Sequence, residues 1–499
     1  MQPENLSFNA QRFNIFKTFL LFISVGLMGC NSEVKTKADI ETRPNILFIL
    51  VDDLGKEWIS AYGAENIETP NIDKLANSGM MFHNAYSMPQ CTPSRVTFLT
   101  GQYPFRHGWV NHWDVPRWGG GAHFDERKNP SLVQELKRAG YRTCIAGKWQ
   151  IDDFRVEPNA LTKNGFDEFC MWTGFESGVE PSAERYWNPY IYTKEGSKTY
   201  TGAFGPDIFR DFIIDFLKEN KDDPMFVYYP MVLTHTPLVN TPDETSDEKL
   251  GKHKAMVRYT DKIVGDLIEA LRANGLLNNT LVVFTTDNGT TTGISGTYRG
   301  KTVRGGKSST METGISEPFI ASWPNRIQAN QQTEALVDFT DVLPTFLDVA
   351  GVASKDFWSA ENANHTIDGK SFKEVLFNGT DTSQRDWILG MGGGNYARLT
   401  ENGVENQYNF RDRVLRNERY KLYIDTNRIP VKFFDMKNDP FEAYNLIDSI
   451  GSAPYKTNFD RLMRVVSKFP EKDNDPKYIP NPPQAWDVEI TAESQEWKS

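Results

Sequence analysis

The stretch Ser87-Met-Pro-Gln-Cys91-Thr-Pro-Ser-Arg95-Val-Thr-Phe-Leu-Thr100 places a cysteine two residues before a proline and four before an arginine. Pro93 disfavours a strand or helix interior around Cys91. Ser94 to Leu99 can open a helix, with Pro93 at its first position. Cys91 then sits at a helix N-terminus, where backbone N–H groups and the dipole favour negative charge. Arg95, one turn on, aims its fork of donors at the same spot. Taken alone, the segment is equally compatible with a buried free thiol.

Two further groups carry hard oxygen donors. Asp52 and Asp53 follow an apolar run, and Asp287 and Asn288 follow another, just before Gly289. Either pair alone is good turn chemistry. Both at the ends of core strands, without adjacent histidines, suit a hard cation. Lys148 stands in Gly147-Lys148-Trp149-Gln150, His235 in Leu233-Thr234-His235-Thr236-Pro237, and Lys307 in Arg304-Gly305-Gly306-Lys307-Ser308. The glycines of the last loop let a cation approach an anion closely.

The elements that must position these residues read as alternating strands and helices. Arg43-Pro-Asn-Ile-Leu-Phe-Ile-Leu-Val51 is a continuous apolar run, as in a strand buried on both faces. Tyr141–Ala146, Met225–Tyr229 and Thr280–Thr285 are of the same kind. Between them, Leu132–Ala139, Ile208–Leu217 and Met256–Leu271 carry apolar residues at helical spacing. This predicts an α/β fold with a large mixed, mostly parallel sheet sandwiched by helices. Ligands in such folds bind beyond the C-terminal strand ends, where all the polar residues above fall. Residues 157–202, rich in Trp, Tyr, Gly and Pro, read as an insertion or loop. Past residue 370 the texture changes, and Arg411–Leu422 and Val431–Phe434 predict an antiparallel sheet in a smaller C-terminal α+β subdomain.

With 499 residues, 39% of them hydrophobic, the chain can bury a large core. A net charge of −11 argues against general nucleic-acid binding, though a local cationic pocket can still take an anion. Arg12 and Lys17 precede the apolar run Phe19–Leu27, which is too short to span a membrane and has signal-peptide form. Leu27-Met28-Gly29-Cys30 resembles a bacterial lipobox. Cys30 would then be lipidated, making the protein an exported lipoprotein anchored to a membrane, periplasmic or at the cell surface. The expected division is signal peptide 1–30, tether 31–42, catalytic domain 43–370 and C-terminal subdomain 371–499. Cys144 and Cys170 remain, as buried thiols or as one disulfide.

Cys91-Thr92-Pro93-Ser94-Arg95 resembles the Cys-x-Pro-Ser-Arg signature of type I sulfatases, members of the alkaline-phosphatase-like superfamily. The likeness runs from about Arg43 to about Asp448, and takes in Asn438-Asp439-Pro440-Phe441-Glu442-Ala443-Tyr444-Asn445-Leu446. It implies that a maturation enzyme oxidises Cys91 to Cα-formylglycine. Of its hydrate's two hydroxyls, one attacks sulfur and the other later expels sulfate, which is covalent catalysis with an exit. It also implies that Asp52, Asp53, Asp287, Asn288 and an oxygen of modified Cys91 hold Ca²⁺; four or five protein oxygens favour calcium over magnesium. By the same likeness Arg95 orients the nucleophile, Lys148, Lys307 and His235 neutralise sulfate oxygens, and His235 or Lys307 protonates the departing alcohol.

One residue departs from the family. Gln150 stands where a histidine usually follows Gly-Lys-Trp, and glutamine cannot take a proton. Another base, such as His235, His107 or His112, would have to serve, or turnover is slow. Arg106–Gly121, which contains His112, joins aromatics with polar groups and resembles a sugar-binding wall, equally an ordinary loop anchored by tryptophans. Gln150, His112 and Arg304 are candidate substrate contacts. The expected reaction is hydrolysis of a sulfate ester, with a sulfated carbohydrate or another sulfate ester as partner. The alternatives are a phosphonate or phosphate ester hydrolase of the same superfamily and a non-catalytic glycan-binding relative.

Overall fold

The structure is a computed structural model. It describes residues 43–480, apart from 112–121, 153, 155–156, 174–183, 354–355, 359–361, 363, 382, 393–396 and 401–402. The lipobox, the tether and His112 therefore lie outside the described residues.

Asn45–Val51 is the central strand, buried at every position. Its side chains alternate between two cores, as the pleat requires. Ile46, Phe48 and Leu50 join helices Cys91–Thr100, Leu132–Arg138 and Val342–Val349 on one face. Leu47, Ile49 and Val51 join Pro70–Asn77, Gly205–Glu219 and Lys249–Ala273 on the other. A run apolar on both sides of the pleat is what makes the layered sandwich.

The sheet has ten strands, in the order Gln331–Asp338, Met80–Tyr86, Ser316–Ser322, Thr280–Thr286, Asn45–Val51, Met225–Pro230, Arg142–Lys148, Glu168–Trp172, Tyr190–Thr193, Gly196–Thr199. Asn45–Val51 pairs in parallel with Thr280–Thr286 and Met225–Pro230. Ser316–Ser322 and the two outermost strands beyond Glu168–Trp172 run antiparallel to their neighbours. The sheet is thus mixed around a parallel centre. The stretch expected to be a loop supplies three of these strands, in segments of four or five residues too short for a period to show. Cys144 and Cys170 sit on adjacent strands as separate buried thiols, offset by two in register.

A second, four-stranded antiparallel sheet comprises Ile388–Met391, Arg413–Arg416, Tyr420–Ile424 and Pro430–Asp435. Helix Tyr455–Val466 packs on it.

The signature helix begins earlier than expected. It runs Cys91–Thr100 with Gln90 as its cap, so Pro93 is its third residue. The first turn leaves its N–H groups without intrahelical partners, so proline costs nothing there.

Candidate active site

Parallel pairing puts the ends of three central strands side by side, and the polar residues follow directly. The Asp52 N–H donates to the Leu233 carbonyl at 2.8 Å and Thr234 N–H donates back to the Asp52 carbonyl at 2.7 Å. His235 is thereby tied to the Asp52 turn. Asp53 N–H donates to Asp287 Oδ1 at 3.2 Å. Asp53 and Gln150 both hold positive φ, 60° and 63°, which for non-glycine residues is stored strain of the kind found at functional sites.

Cys91 Sγ lies 3.3 Å from Asp52 Oδ1, 3.8 Å from Asp53 Oδ1 and 3.5 Å from Lys148 Nζ. Lys148 Nζ also donates to Asp52 Oδ2. Gly147, at φ 119°, precedes it because a Cβ there would overlap the Pro230 carbonyl. Arg95 Nη2 bonds Asp287 Oδ2 at 2.7 Å and its Nη1 donates to the Lys148 carbonyl. Lys307 Nζ reaches Asp53 at 2.7 Å. Asn288 Nδ2 donates to Asp53 Oδ1 at 2.8 Å, while its Oδ1 is buried without a partner. Three buried carboxylates thus face three cations around one sulfur.

Charge and burial pull these groups in different directions. Burial would raise the Asp52 carboxyl, but Lys148, His235, Arg95 and Lys307 outweigh it and hold it well below its usual value. Burial and the Asp52 charge push Asp287 up to about 6, against the opposing pull of Arg95. Burial, then Asp287 and Asp52, pushes the Cys91 thiol up, the opposite of an activated thiolate. Burial, with Lys307 and Lys148, keeps the His235 imidazole well below its ordinary value. His235 Nδ1 lies 2.7 Å from the Thr236 carbonyl, which can only accept. The proton is therefore on Nδ1, and Nε2, 3.7 Å from Asp53 Oδ2, presents a lone pair to the site.

Of the candidate substrate contacts, Gln150 lies beside the Cys91 helix: its backbone carbonyl accepts from Thr92 Oγ1 at 3.4 Å, and its side-chain Oε1 is buried without a partner. Arg304 does not; it is exposed and donates to the Thr292 carbonyl. His107 is fully engaged, with Nε2 on Thr97 Oγ1 at 3.1 Å and Nδ1 accepting from the Trp109 N–H at 3.0 Å. It has no lone pair to offer as a base.

Sequence reading missed the frame behind Lys307. Lys307 N–H donates to the Thr290 carbonyl, and Ser308 N–H to the Pro89 carbonyl beside the Cys91 helix. Gly306 is jammed against Thr313, whose neighbour Glu312 accepts from Tyr86 Oη, Arg416 Nη1 and Lys421 Nζ. Glu442 of the C-terminal subdomain accepts from the Glu312 N–H at 2.8 Å, from Lys421 Nζ at 2.9 Å and from the Tyr423 hydroxyl. Ser94, within the signature motif, ties the helix start to a strand end: its Oγ accepts from the Met88 N–H and donates to the Asp287 carbonyl at 2.6 Å.

A family profile described as sulfatase matches residues 44–352, more than half of the chain. The chain is a member of the sulfatase family. A second profile, N-sulphoglucosamine sulphohydrolase C-terminal, matches residues 306–468. The sulfatase is 28% identical over 468 residues to the human N-acetylgalactosamine-6-sulfatase, covering 86% of each chain. It is 27% identical over 509 residues to the N-acetylgalactosamine-6-O-sulfatase of Bacteroides thetaiotaomicron, covering 87% of this chain and 96% of that one. The crystal structure of Ps i-CgsB superposes with a TM-score of 0.70 at 25% identity, over 88% of this chain and 95% of that chain. The sulfatase is accordingly a sulfuric ester hydrolase of alkaline-phosphatase-like fold.

Proposed function

We propose that this enzyme hydrolyses a sulfate ester of a carbohydrate, using formylglycine made from Cys91 and a calcium ion held by Asp52, Asp53, Asp287 and Asn288. The observation that carries the reading is the convergence of Cys91, three carboxylates, Arg95, Lys148, Lys307 and His235 on one buried point at the strand ends. The carbohydrate part is supported by the relatives named N-acetylgalactosamine-6-sulfatases.

The calcium reading is supported by donor chemistry, since three carboxylates and an amide oxygen are hard ligands. One ligand atom from each of Asp52, Asp53, Cys91 and His235 lies within 4.8 Å of the others. The unpartnered Asn288 Oδ1 adds a neutral oxygen, and hard oxygens in irregular geometry suit that ion. When bound, calcium supplies fixed positive charge beside the nucleophile and the sulfate. The formylglycine hydrate supplies two hydroxyls on one carbon, one for attack and one for release of sulfate.

The remaining chemistry belongs to the chain's own side chains. Arg95 holds Asp287 and the strand ends in register. Lys148 and Lys307, resting on Asp52 and Asp53, are placed to neutralise sulfate oxygens as charge moves to the leaving group. His235, with its proton fixed on Nδ1, would accept at Nε2 the proton that the hydrate's second hydroxyl gives up as sulfate leaves. That role supports turnover despite Gln150, whose Nε2 can only donate.

The test is peptide mass spectrometry at Cys91 together with sulfate release. The expected result is an aldehyde at Cys91 when a maturation enzyme is present, and no sulfate release by Cys91→Ala. Release by a protein whose Cys91 is entirely thiol would refute the nucleophile. We also propose a lipid anchor at Cys30, checked by fatty-acid labelling that Cys30→Ala abolishes, and the division of catalytic domain from C-terminal subdomain near residue 370. Among the described residues no helix is long and apolar enough to cross a membrane.

A further inference from the structure

We propose that Arg185 binds a second anionic group of the substrate, a carboxylate or another sulfate, on the His235 side of the site. The inference rests on the sulfate-ester reading above and narrows its substrate to a sugar carrying at least two negative charges.

Arg185 is 4% exposed, with its guanidinium 4.1 Å from the centre of the Trp172 ring. Its Nη2 donates to the Thr236 carbonyl, the oxygen that also engages His235 Nδ1. Arg185 and His235 thus hang from one atom. The neighbouring Tyr186 hydroxyl lies 2.6 Å from the Val232 carbonyl and 2.5 Å from that of His235, fixing both residues to one turn.

What sets Arg185 apart among the described residues is its lack of a counter-ion. Six arginines are buried among the described residues. Arg95 pairs with Asp287, Arg385 with Asp341, Arg411 with Asp412, Arg413 with Asp473 and Arg416 with Glu312. Arg185 has no described carboxylate within ion-pair reach, and its Nε and Nη1 have no partner. A buried guanidinium with no described anion is unfavourable, because the Thr236 carbonyl and the Trp172 face replace only part of its lost hydration. Such a cost persists where a ligand repays it. Lys148, Lys307 and His235 already face the position of the scissile sulfate, so the anion at Arg185 is a different one. Its unpartnered Nε and Nη1 can each donate to an oxygen of a carboxylate or sulfate.

The experiment compares wild type, Arg185→Gln and Arg185→Lys on three disaccharides sharing the scissile sulfate: one with no other charge, one with a second sulfate, one with a uronate carboxylate. The readout is the ratio of kcat/KM for each doubly charged sugar to that for the singly charged one. Arg185→Gln is expected to lower at least one of these ratios about 10- to 100-fold, the range of a charge-assisted hydrogen bond. Whichever ratio falls identifies the anion. Arg185→Lys, which keeps the charge and loses the fork, should lie between the two and decides the matter if Arg185→Gln does not fold. Thermal stability of Arg185→Gln should not drop, since an unpaired charge has been removed.

Ratios unchanged in both variants overturn the proposal, whatever the absolute loss, because damage to the scaffold or to scissile-sulfate binding lowers all three substrates together. If wild type hydrolyses no sulfate ester, the reaction reading fails on its own. Calorimetric binding of the same sugars then decides Arg185: equal affinity for wild type and Arg185→Gln overturns it, and a loss confined to the doubly charged sugars supports it.

Discussion

Glu442→Ala tests whether the C-terminal subdomain sets the position of Lys307. Glu442 accepts from the Glu312 N–H, the Tyr423 hydroxyl and Lys421, whose side chain is fully buried. Removing one partner of a buried ion pair costs about 3–5 kcal/mol. Lys421 keeps Glu312 at 3.0 Å, so the low end, about 3 kcal/mol, applies. If that loss falls on the turn at Glu312, its opening equilibrium rises about 100-fold. The direct assay is amide hydrogen exchange in peptides spanning 306–315, since the Glu312 N–H is itself the lost donor. Because Thr313 is packed on Gly306, beside Lys307, kcat/KM should fall at least about 10-fold, the cost of a misplaced charged donor. Lys307→Met and the double variant complete a cycle. If Glu442 acts through Lys307, the double variant is no worse than Lys307→Met. Unchanged exchange at Glu312, or losses that multiply in the double variant, would refute the reasoning.

Gln150→His restores a titratable group next to the Thr92 contact; higher turnover would show that collapse of the proposed sulfated intermediate limits the rate, whereas a large loss would assign Gln150 its own part in the pocket. Gly306→Ala forces a Cβ into the Thr313 backbone and should abolish most activity, while Gly293→Ala, with open space around it, should keep activity and change stability by less than about 1 kcal/mol in unfolding assays. His253, packed edge-on against Trp58 with both ring nitrogens unpartnered, is driven by burial down to about 3. Its folded value lies below its unfolded one, so stability is complete above pH 6.5 and falls towards pH 3 as the unfolded state takes the proton. His253→Phe should flatten that part of the stability curve, which has a slope of about 1.4 kcal/mol per pH unit. An unchanged acid slope would show that His253 is protonated in the fold.

The legible parts of this protein are those where one residue type suffices. The run at Asn45–Val51 had to be a two-faced strand, and acids directly after it had to lie at the strand end where ligands bind. Lys148, His235 and Lys307 carried family motifs, and each proved to touch the cluster or its carboxylates. The illegible parts depend on contacts between distant positions. Glu442 meets Glu312 across 130 residues, and no local pattern encodes that meeting. Arg185 looked like any polar residue of an aromatic loop until Trp172 and Thr236 were placed around it. Glu168–Trp172 and its two successors are short strands whose pairing, not their periodicity, defines them.

Every residue of the Cys91–Thr100 helix is buried, and Cys91 itself is 4% exposed beneath Lys148 and the Asp52 turn. No second protein can lay an active site over that thiol once the sheet has closed around it. If Cys91 is oxidised as proposed, the oxidation must happen while the segment is still an extended chain, before the neighbouring strands arrive. Timing then decides the fate of each molecule: a copy that folds first is locked as a thiol, and later exposure to the maturation enzyme leaves it unchanged. Unfolding and refolding in the presence of that enzyme would be the only way back.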